Sequence, residues 1–286
     1  MTTTTTSKIT ARFALLATLT ALAMPAFAAE SPWLPSPGAN SLTFSFSNQK
    51  ADEFRAGDMK GQLPAPLKQD TFKLNYSVGI LDSLALDIET GYAKSKFISI
   101  PGLAPNGGTS GVTDSRIGLR FRVLDDLADA PVTLTLGAAA ILKGNYDTGS
   151  LPAIGDGANA LEISASLGKQ ITSKFNVYGT LGYRDRKAPV PNENFYELGL
   201  NFNATSQLGF TLKHEEVRSK GSLDIGGPGF SPARFPEVKE DYGFTSVGAN
   251  FRFSRNLAVG VQYGEKQAKR NTAESKVYGL SLNTAF

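Results

Sequence analysis

The sequence predicts an all-β fold: a transmembrane antiparallel up-and-down β-barrel of about 12 strands, of the bacterial outer-membrane type. Three observations carry this. Apolar and polar residues alternate with period two in segment after segment, the connections are short and long by turns, and the chain ends on an amphipathic strand that finishes at Phe286. Alternation alone gives each strand one face for oil and one for water, which a soluble sandwich also needs. The connections separate the two, because short turns at one rim and longer loops at the other are the habit of membrane barrels. A soluble sandwich or lipocalin-like barrel is the fold they displace.

At the start of the chain, Lys8 and Arg12 precede an apolar stretch from Phe13 to Phe27, and Ala26-Phe27-Ala28 offers small residues where a signal peptidase reads. This is the pattern of a secretory signal peptide, cleaved after Ala28. The run is too short for a spanning helix and is interrupted by Thr18, Thr20 and Pro25. The expected organisation is a signal peptide over 1–28, a periplasmic N-terminal segment over 29–40 and the barrel over 41–286. Within the second part, Trp33-Leu-Pro-Ser-Pro-Gly38 is Pro-rich and reads two ways, as a piece lying in the lumen or as a tether at the periplasmic end.

The strands follow in order. Ser41 to Gln49 opens the barrel. Thr71 to Leu81 is the clearest segment, with Phe72, Leu74, Tyr76, Val78 and Ile80 on one face and Lys73, Asn75, Ser77 and Gly79 on the other. Leu84 to Ala93 comes next, and Ser115 to Leu124 sets Ile117, Leu119, Phe121 and Val123 against Arg116, Gly118, Arg120 and Arg122. Val132 to Lys143, Asn159 to Lys169, Phe175 to Arg186, Tyr196 to Asn203 and Leu208 to Glu216 continue the pattern. In Gly243 to Phe253 the parity of Phe251 and Phe253 turns Tyr242 and Phe244 inward, so that either a bulge near Gly243 intervenes or these rings narrow the bore. Leu257 to Glu265 and Lys276 to Phe286 complete the set. Most of these approach the roughly 9 to 11 residues that a tilted strand needs to cross hydrocarbon.

Leu81 to Ser83, Asp125 to Pro131, Gln170 to Lys174, Ala204 to Gln207 and Ser254 to Asn256 are the short connections. Lys50 to Asp70, Lys94 to Asp114, Gly144 to Ala158, Lys187 to Phe195, Val217 to Tyr242 and Lys266 to Ser275 are the long ones, rich in Gly, Pro and charge. An even barrel with short periplasmic turns puts both termini in the periplasm. Outward aromatics suit two interfacial girdles: Phe72, Tyr92, Tyr183, Tyr196, Tyr263 and Tyr278 toward the loops, Phe175, Phe202, Phe253 and Phe286 toward the turns.

The same parity assigns the inward face. It holds Lys73, Asp87, Glu89, Arg116, Arg120, Arg122, Lys143, Glu162, Arg184, Arg186, Glu197, Lys213, Glu215, Arg252 and Gln262. Charges there would be costly against lipid and are tolerated in a wet or mutually paired lumen. Both signs sit on neighbouring strands, which points to cross-strand ion pairs. The residues of this set toward the external mouth, Arg116, Lys143, Glu162, Arg184, Arg186, Glu197, Lys213 and Glu215, form a candidate pore constriction without a simple anion or cation preference. Twelve strands lie between the roughly 8 that side chains fill and the 16 to 18 of open porins, so the lumen reads as a narrow pore or as a plugged structural barrel.

Other chemistries find little support. With Lys8 and Arg12 removed, 27 basic residues face 26 acidic ones, which leaves no basic surplus for nucleic acid. There are no cysteines, hence no disulfides or thiolate chemistry. No cofactor motif appears, and Asp147 to Gly157, with two carboxylates among glycines, lacks the alternating ligands of a calcium loop. The single histidine, His214, faces outward; the adjacent strands offer no outward Ser with a supporting Asn or Asp, which lipid hydrolysis would need. The chain reads as a non-enzyme.

The last strand places Tyr278, Leu280, Leu282, Thr284 and Phe286 on one face, and it resembles the terminal signal by which the barrel-assembly machinery recognises its clients. Trp33 to Gly38, Ala51-Asp-Glu-Phe54 with Leu63-Pro64, Ser115 to Arg122, Gly144 to Gly149 with Leu151-Pro152 and Gly155-Asp-Gly157, and Gly182 to Arg186 occur in an order that resembles the outer-membrane transporter family of the MetA pathway of phenol degradation. The resemblance spans nearly the whole mature chain. It implies an outer-membrane barrel that moves small aromatic or other hydrophobic solutes, with no catalytic residue and no cofactor, embedded in outer-membrane lipid. The alternative is a non-transporting envelope barrel serving adhesion or exopolysaccharide, for which long loops such as Val217 to Tyr242 would be the working surface.

Overall fold

A computed structural model of the protein describes residues 31–101 and 104–286. The signal-peptide segment 1–28 lies outside the described residues. The strands are β1 (Asn40–Ala56), β2 (Met59–Leu81), β3 (Leu84–Lys96), β4 (Ser110–Val112), β5 (Ser115–Leu124), β6 (Thr133–Leu142), β7 (Ala160–Thr172), β8 (Phe175–Arg186), β9 (Glu193–Asn203), β10 (Leu208–Ser219), β11 (Asp241–Arg252), β12 (Leu257–Arg270) and β13 (Ala273–Ala285). All neighbours pair antiparallel, β3 holds both β4 and β5, and β13 pairs with β1. The result is a closed 12-strand barrel in which β4 and β5 are one strand broken at Thr113 and Asp114.

Closure runs from Ser41↔Ala285 to Phe54↔Ala273, and the seam finishes with Asn40 and Phe286 exchanging backbone N–H···O bonds at 3.0 Å in both directions. Hydrocarbon offers no water to satisfy a free strand edge, so this pairing is what allows the sheet to sit in a membrane. The wall obeys the period-two reading: Phe72, Ile117, Leu119, Phe121, Leu161, Ile163, Leu181, Leu198, Val247 and Val261 are all exposed on the outside, whereas Asp87, Arg120, Glu162 and Glu197 are buried inside. The interior is the polar side of this molecule. Phe202, Phe253 and Phe286 are exposed at the turn rim, and Phe72, Tyr92, Tyr196 and Tyr278 toward the loop rim.

Two of the long connections are corrected by the structure. Lys50 to Asp70 is mostly strand, since β1 and β2 run on together to a turn at Gly57 and Asp58, and Lys266 to Ser275 closes through Asn271 and Thr272 at the tip of β12 and β13. These extensions rise past the apolar belt, where no face meets lipid, so their sequence lost the alternation that marks a strand. Pro64 and Pro66 sit in a register shift opposite Asp52, on a stretch of β2 beyond the last pair with β3, Lys68↔Lys96. A missing N–H costs a ladder nothing at such an edge.

The loop rim is built, not loose. Asn271, in the left-handed region at φ 48°, accepts the Gly57 and Ile225 amides at 2.6 and 3.1 Å and donates to Asp224 and to the Lys239 carbonyl. Arg270 grips Asp224 at 2.7 and 2.5 Å, and these hydrogen bonds hold the Asp224 carboxyl below its usual range. The segment between β10 and β11, with its short 3-10 helix at Pro232–Glu237, is thereby fastened across the tips of β1–β2 and β12–β13.

Deletion of Phe286 is expected to reduce the fraction of heat-modifiable, folded barrel recovered from outer membranes, measured by comparing unheated and boiled samples on a denaturing gel.

Candidate functional site

The lumen is occupied at two levels. At the turn end lies the segment Ser31 to Gly38. It enters beside β2, where Gly38 donates to the Gly79 carbonyl at 2.8 Å and Gly79 donates to Ala39 at 3.1 Å. A Cβ on Gly79 would lie 2.2 Å from the Ser36 carbonyl oxygen, so only glycine allows this approach. The segment then crosses the bore. Arg120 on β5 donates from Nη1 to the Ser31 carbonyl at 2.7 Å, and Thr135 on β6 donates to the Pro32 carbonyl at 2.6 Å. Pro32 and Trp33 pack on Gly168 of β7, whose Cβ would fall 2.5 Å from the proline ring. Trp33 meets Tyr178 of β8 edge-on at 6.1 Å and donates its indole N–H to Asp126 at 3.2 Å. Of the two sequence readings of Trp33 to Gly38, the structure favours the lumen.

Asp126, in the β5–β6 turn, holds two ends together. Burial would raise its carboxyl, but hydrogen bonds from Thr133, from the Gln170 amide and from Trp33 win and hold it below the usual range. Arg120 is equally committed, because Nε and Nη2 bind Asp87 at 2.5 and 2.9 Å while both side chains are buried. One guanidinium therefore neutralises a buried carboxylate and carries the N-terminal segment.

The second level is a band of ion pairs toward the loop end. Glu162 on β7, 2 % exposed, is held from both sides, by Arg116 at 2.9 and 2.7 Å and by Arg184 at 2.6 Å. Arg116 reaches it from β5 over β6, where Ala139, the residue paired with Glu162, is small enough to let the side chain pass. Arg184 also binds Glu193 at 2.6 Å and covers the Phe195 ring at 4.5 Å. Arg186 binds Glu193 at 3.1 Å and pairs with Asp156 of the β6–β7 loop. Lys213 pairs with Glu197, and Lys73 with Glu89 at 2.6 Å. Lys73 also interacts electrostatically with Glu215 and Lys213 on the opposite wall.

Some members of the sequence-read set stand apart. Lys143 is exposed on the loop just after β6, with its ammonium near Gly157. Arg122 lies at the turn end, tied to Asp125 at 2.8 Å and to the Asp82 carbonyl, and Arg252 reaches the Ser206 carbonyl at the same rim. Tyr242 and Phe244 do turn inward: the β11–β12 register is unbroken from Tyr242 to Arg252, and the one shift, between Asp241 and Tyr242, lies on the loop side of both rings, so of the two sequence alternatives the inward rings hold. Lys266 stands 4.2 Å above the Tyr242 ring, and Phe244 fills the space a Cβ on Gly264 would take. Between the two levels, Tyr178, Thr211, Lys213, Ser246, Gly248, Asn250 and Gln262 line a cavity of about 20 Å³, room for a single water.

Sequence reasoning missed Glu193, Phe195 and Asp156. Carrying the parity of Glu197 back along β9 finds the first two, which had been placed in a loop; Asp156 had no such signal. Its engagement with Arg186 removes one carboxylate from the glycine-rich loop, and among the described residues no set of three metal-ligating side chains converges. Outside the barrel, His214 Nδ1 lies 2.8 Å from Thr245 Oγ1, with no orienting carboxylate recorded on its other nitrogen among the described residues.

At the loop rim, burial and the nearby Asp156 carboxylate push the Glu240 carboxyl up to about 8. The folded protein then keeps a proton that the unfolded chain has lost, so stability from this group falls as pH rises from the ordinary carboxylate range to about 8. Urea midpoints at pH 5 and pH 9 should differ less in Glu240→Gln than in the parent. Arg120→Met should cost about 3–5 kcal/mol by leaving Asp87 buried without its partner, and Arg120→Met with Asp87→Leu should recover most of it, both read from urea unfolding.

No protein-family model matches the chain, and no curated protein matches it. Solved structures do. An outer-membrane channel from Pseudomonas putida F1 is similar over 93% of this chain and 98% of its own, with a TM-score of 0.71 at 15% identity. The translocator domain of the autotransporter NalP from Neisseria meningitidis covers 88% of this chain and 89% of its own, with a TM-score of 0.52 at 10% identity. The NanC porin covers 84% of this chain and 98% of its own, with a TM-score of 0.51 at 10% identity. At such identities the likeness concerns the fold, and the chain has the barrel of outer-membrane channels and porins.

Proposed function

We propose that this protein is an outer-membrane channel for small solutes, with the short turns and both termini in the periplasm, and that its own N-terminal segment closes the lumen at rest. The observation that carries the reading is the segment Ser31 to Gly38 itself, suspended from Arg120, Thr135, Asp126 and Gly79 rather than packed into an apolar core. A barrel needed only as a structural shell would be filled by its wall side chains. Here the turn end is occupied instead by the N-terminal segment, for which Gly168 leaves room on the inner face of β7. The overall likeness to a channel that matches along nearly its whole length supports the same reading.

The solute class is the one implied by the resemblance to the phenol-degradation transporter family: small aromatic or otherwise hydrophobic compounds. Trp33, Tyr242 and Phe244 supply partly exposed rings in the lumen, set among ion pairs that neutralise one another. An aromatic solute meets stacking surfaces there, whereas a bare ion meets charges already neutralised. Arg116, Glu162, Arg184, Arg186, Glu193 and Glu197 form the constriction toward the outside.

Liposome swelling with solutes of graded size and aromaticity is the test. The parent should admit solutes slowly, and a variant lacking residues 31–36 should admit them at least about tenfold faster, as expected when a narrow constriction is relieved. Equal and negligible swelling by both would favour the envelope-barrel alternative. Replacing Arg184 and Arg186 together should change conductance or ion selectivity in planar bilayers; unchanged values would remove the constriction role.

A further inference from the structure

The outer wall carries a basic row that the channel reading does not use. The register places Lys276 of β13 opposite Lys50 of β1, Lys50 opposite Lys68 of β2, and Lys68 opposite Lys96 of β3. Parity with Tyr278, Phe46, Phe72 and Tyr92 points all of them outward, and all are exposed. Neighbouring strands lie about 4.8 Å apart, so the ammonium groups line up along about 15 Å of wall. Like charges directly opposite one another destabilise a sheet. Four in succession make no sense as a device for folding.

The row sits two residues beyond Tyr278 and four beyond Phe72 and Tyr92, all three of them exposed at the loop-end edge of the apolar belt. Two to four residues along a tilted strand carry the row out of the hydrocarbon to the level of lipid headgroups, and lysine stems can lie back toward the aromatic ring while the ammonium reaches water. Lys50 pairs with Asp52 at 3.0 Å, and among the described residues no ion pair is recorded for Lys68, Lys96 or Lys276. The acids nearby are Glu265, opposite Lys276 and accepting from the Tyr263 hydroxyl, Glu274, two residues from Lys276 on the same face and paired with Lys60 at 3.2 Å, and Asp70, which accepts from Asn48 at 2.6 Å; Lys94 adds a further cation opposite Asp70. On the other side of the barrel the outward loop-end positions of β6, β7 and β8 are Leu142, Leu161 and Asp185, so the basic row belongs to one wall.

We propose that the wall formed by β13, β1, β2 and β3 binds the phosphorylated glycolipid of the outer leaflet, its phosphates on Lys276, Lys50, Lys68 and Lys96 and its acyl chains along Phe46, Phe72 and Tyr92. Charge complementarity selects this occupant. A row of cations at headgroup height is what an anionic lipid surface attracts, and a headgroup with more than one phosphate spans several strands. The inference rests on the orientation proposed above, with the loop rim outside.

The test uses the mature protein in nanodiscs of phosphatidylcholine doped with either a bis-phosphorylated lipid A or the same glycolipid enzymatically dephosphorylated, with retained lipid counted by native mass spectrometry. The parent should retain the phosphorylated form at least about tenfold better, the joint change of all four lysines to glutamine should abolish the preference, and the same change to arginine should keep it. Equal retention of both glycolipids by the parent, or an undiminished preference in the glutamine variant, overturns the proposal. Should the fourfold variant fail the heat-modifiability check, Lys68→Gln with Lys96→Gln carries the same comparison. Nanodiscs have no sidedness, so a negative result removes the lipid site alone; protease cleavage of the Val217 to Tyr242 loop on intact cells tests the orientation separately.

Discussion

The pairing of β1 with β13 is the constraint on which the rest depends. A sheet in hydrocarbon must satisfy each backbone N–H and C=O within itself, and only closure achieves that. Closure fixes a period of two for every strand, and the period sorts the side chains without further choice: what alternates with a lipid-facing Leu or Phe faces the bore. Asp87, Arg116, Arg120, Glu162 and Glu197 are inside for this reason alone. Having been placed there, they must be neutralised there, since the cost of a buried lone charge exceeds what a single barrel can absorb. The ion-pair band and the Arg120–Asp87 couple follow from that requirement.

The two occupied levels use the interior differently. Toward the loops, carboxylates are shared between guanidiniums, as Glu162 is between Arg116 and Arg184, so the removal of one partner leaves another in place. Toward the turns there is no such redundancy. Arg120 has one acid and two segments to hold, and Asp126 alone joins Trp33 to the β7 end through Gln170. The ion-pair band is thus held redundantly, whereas each tie of the N-terminal segment is made once, through Arg120, Thr135, Asp126 and Gly79.

The barrel was legible because membrane strands are dictated by one strong rule. Where that rule lapses, so did the reading. Ala51 to Ala56 and Met59 to Leu67 are strand, yet they rise clear of lipid and carry charge and proline on both faces, so nothing in their pattern distinguishes them from a loop. The inward charges were assigned by parity and the structure puts most of them where parity said. Partnership was another matter. Arg116 crosses β6 to reach Glu162, a choice allowed by the small size of Ala139 rather than by strand adjacency, and Glu193 was passed over because β9 begins earlier than its apolar alternation. The resting place of Trp33 was undecidable from sequence, since its contacts, Asp126 and Tyr178, are remote along the chain and join it only through the closed barrel.

The suspension of the N-terminal segment has a consequence for how such a chain can diverge. Arg120 and Thr135 grasp the carbonyls of Ser31 and Pro32, and Gly79 trades main-chain bonds with Gly38 and Ala39. These attachments do not consult side-chain identity. Leu34 and Ser36 are therefore free to vary while the segment stays where it is, and a new residue at either site would repaint the inside of the bore without loosening its fastening. Side-chain chemistry at these two positions and retention of the segment are thus separable, so under the proposed channel role a related chain can change what the bore presents by altering a few residues upstream of its first strand and leaving the wall alone.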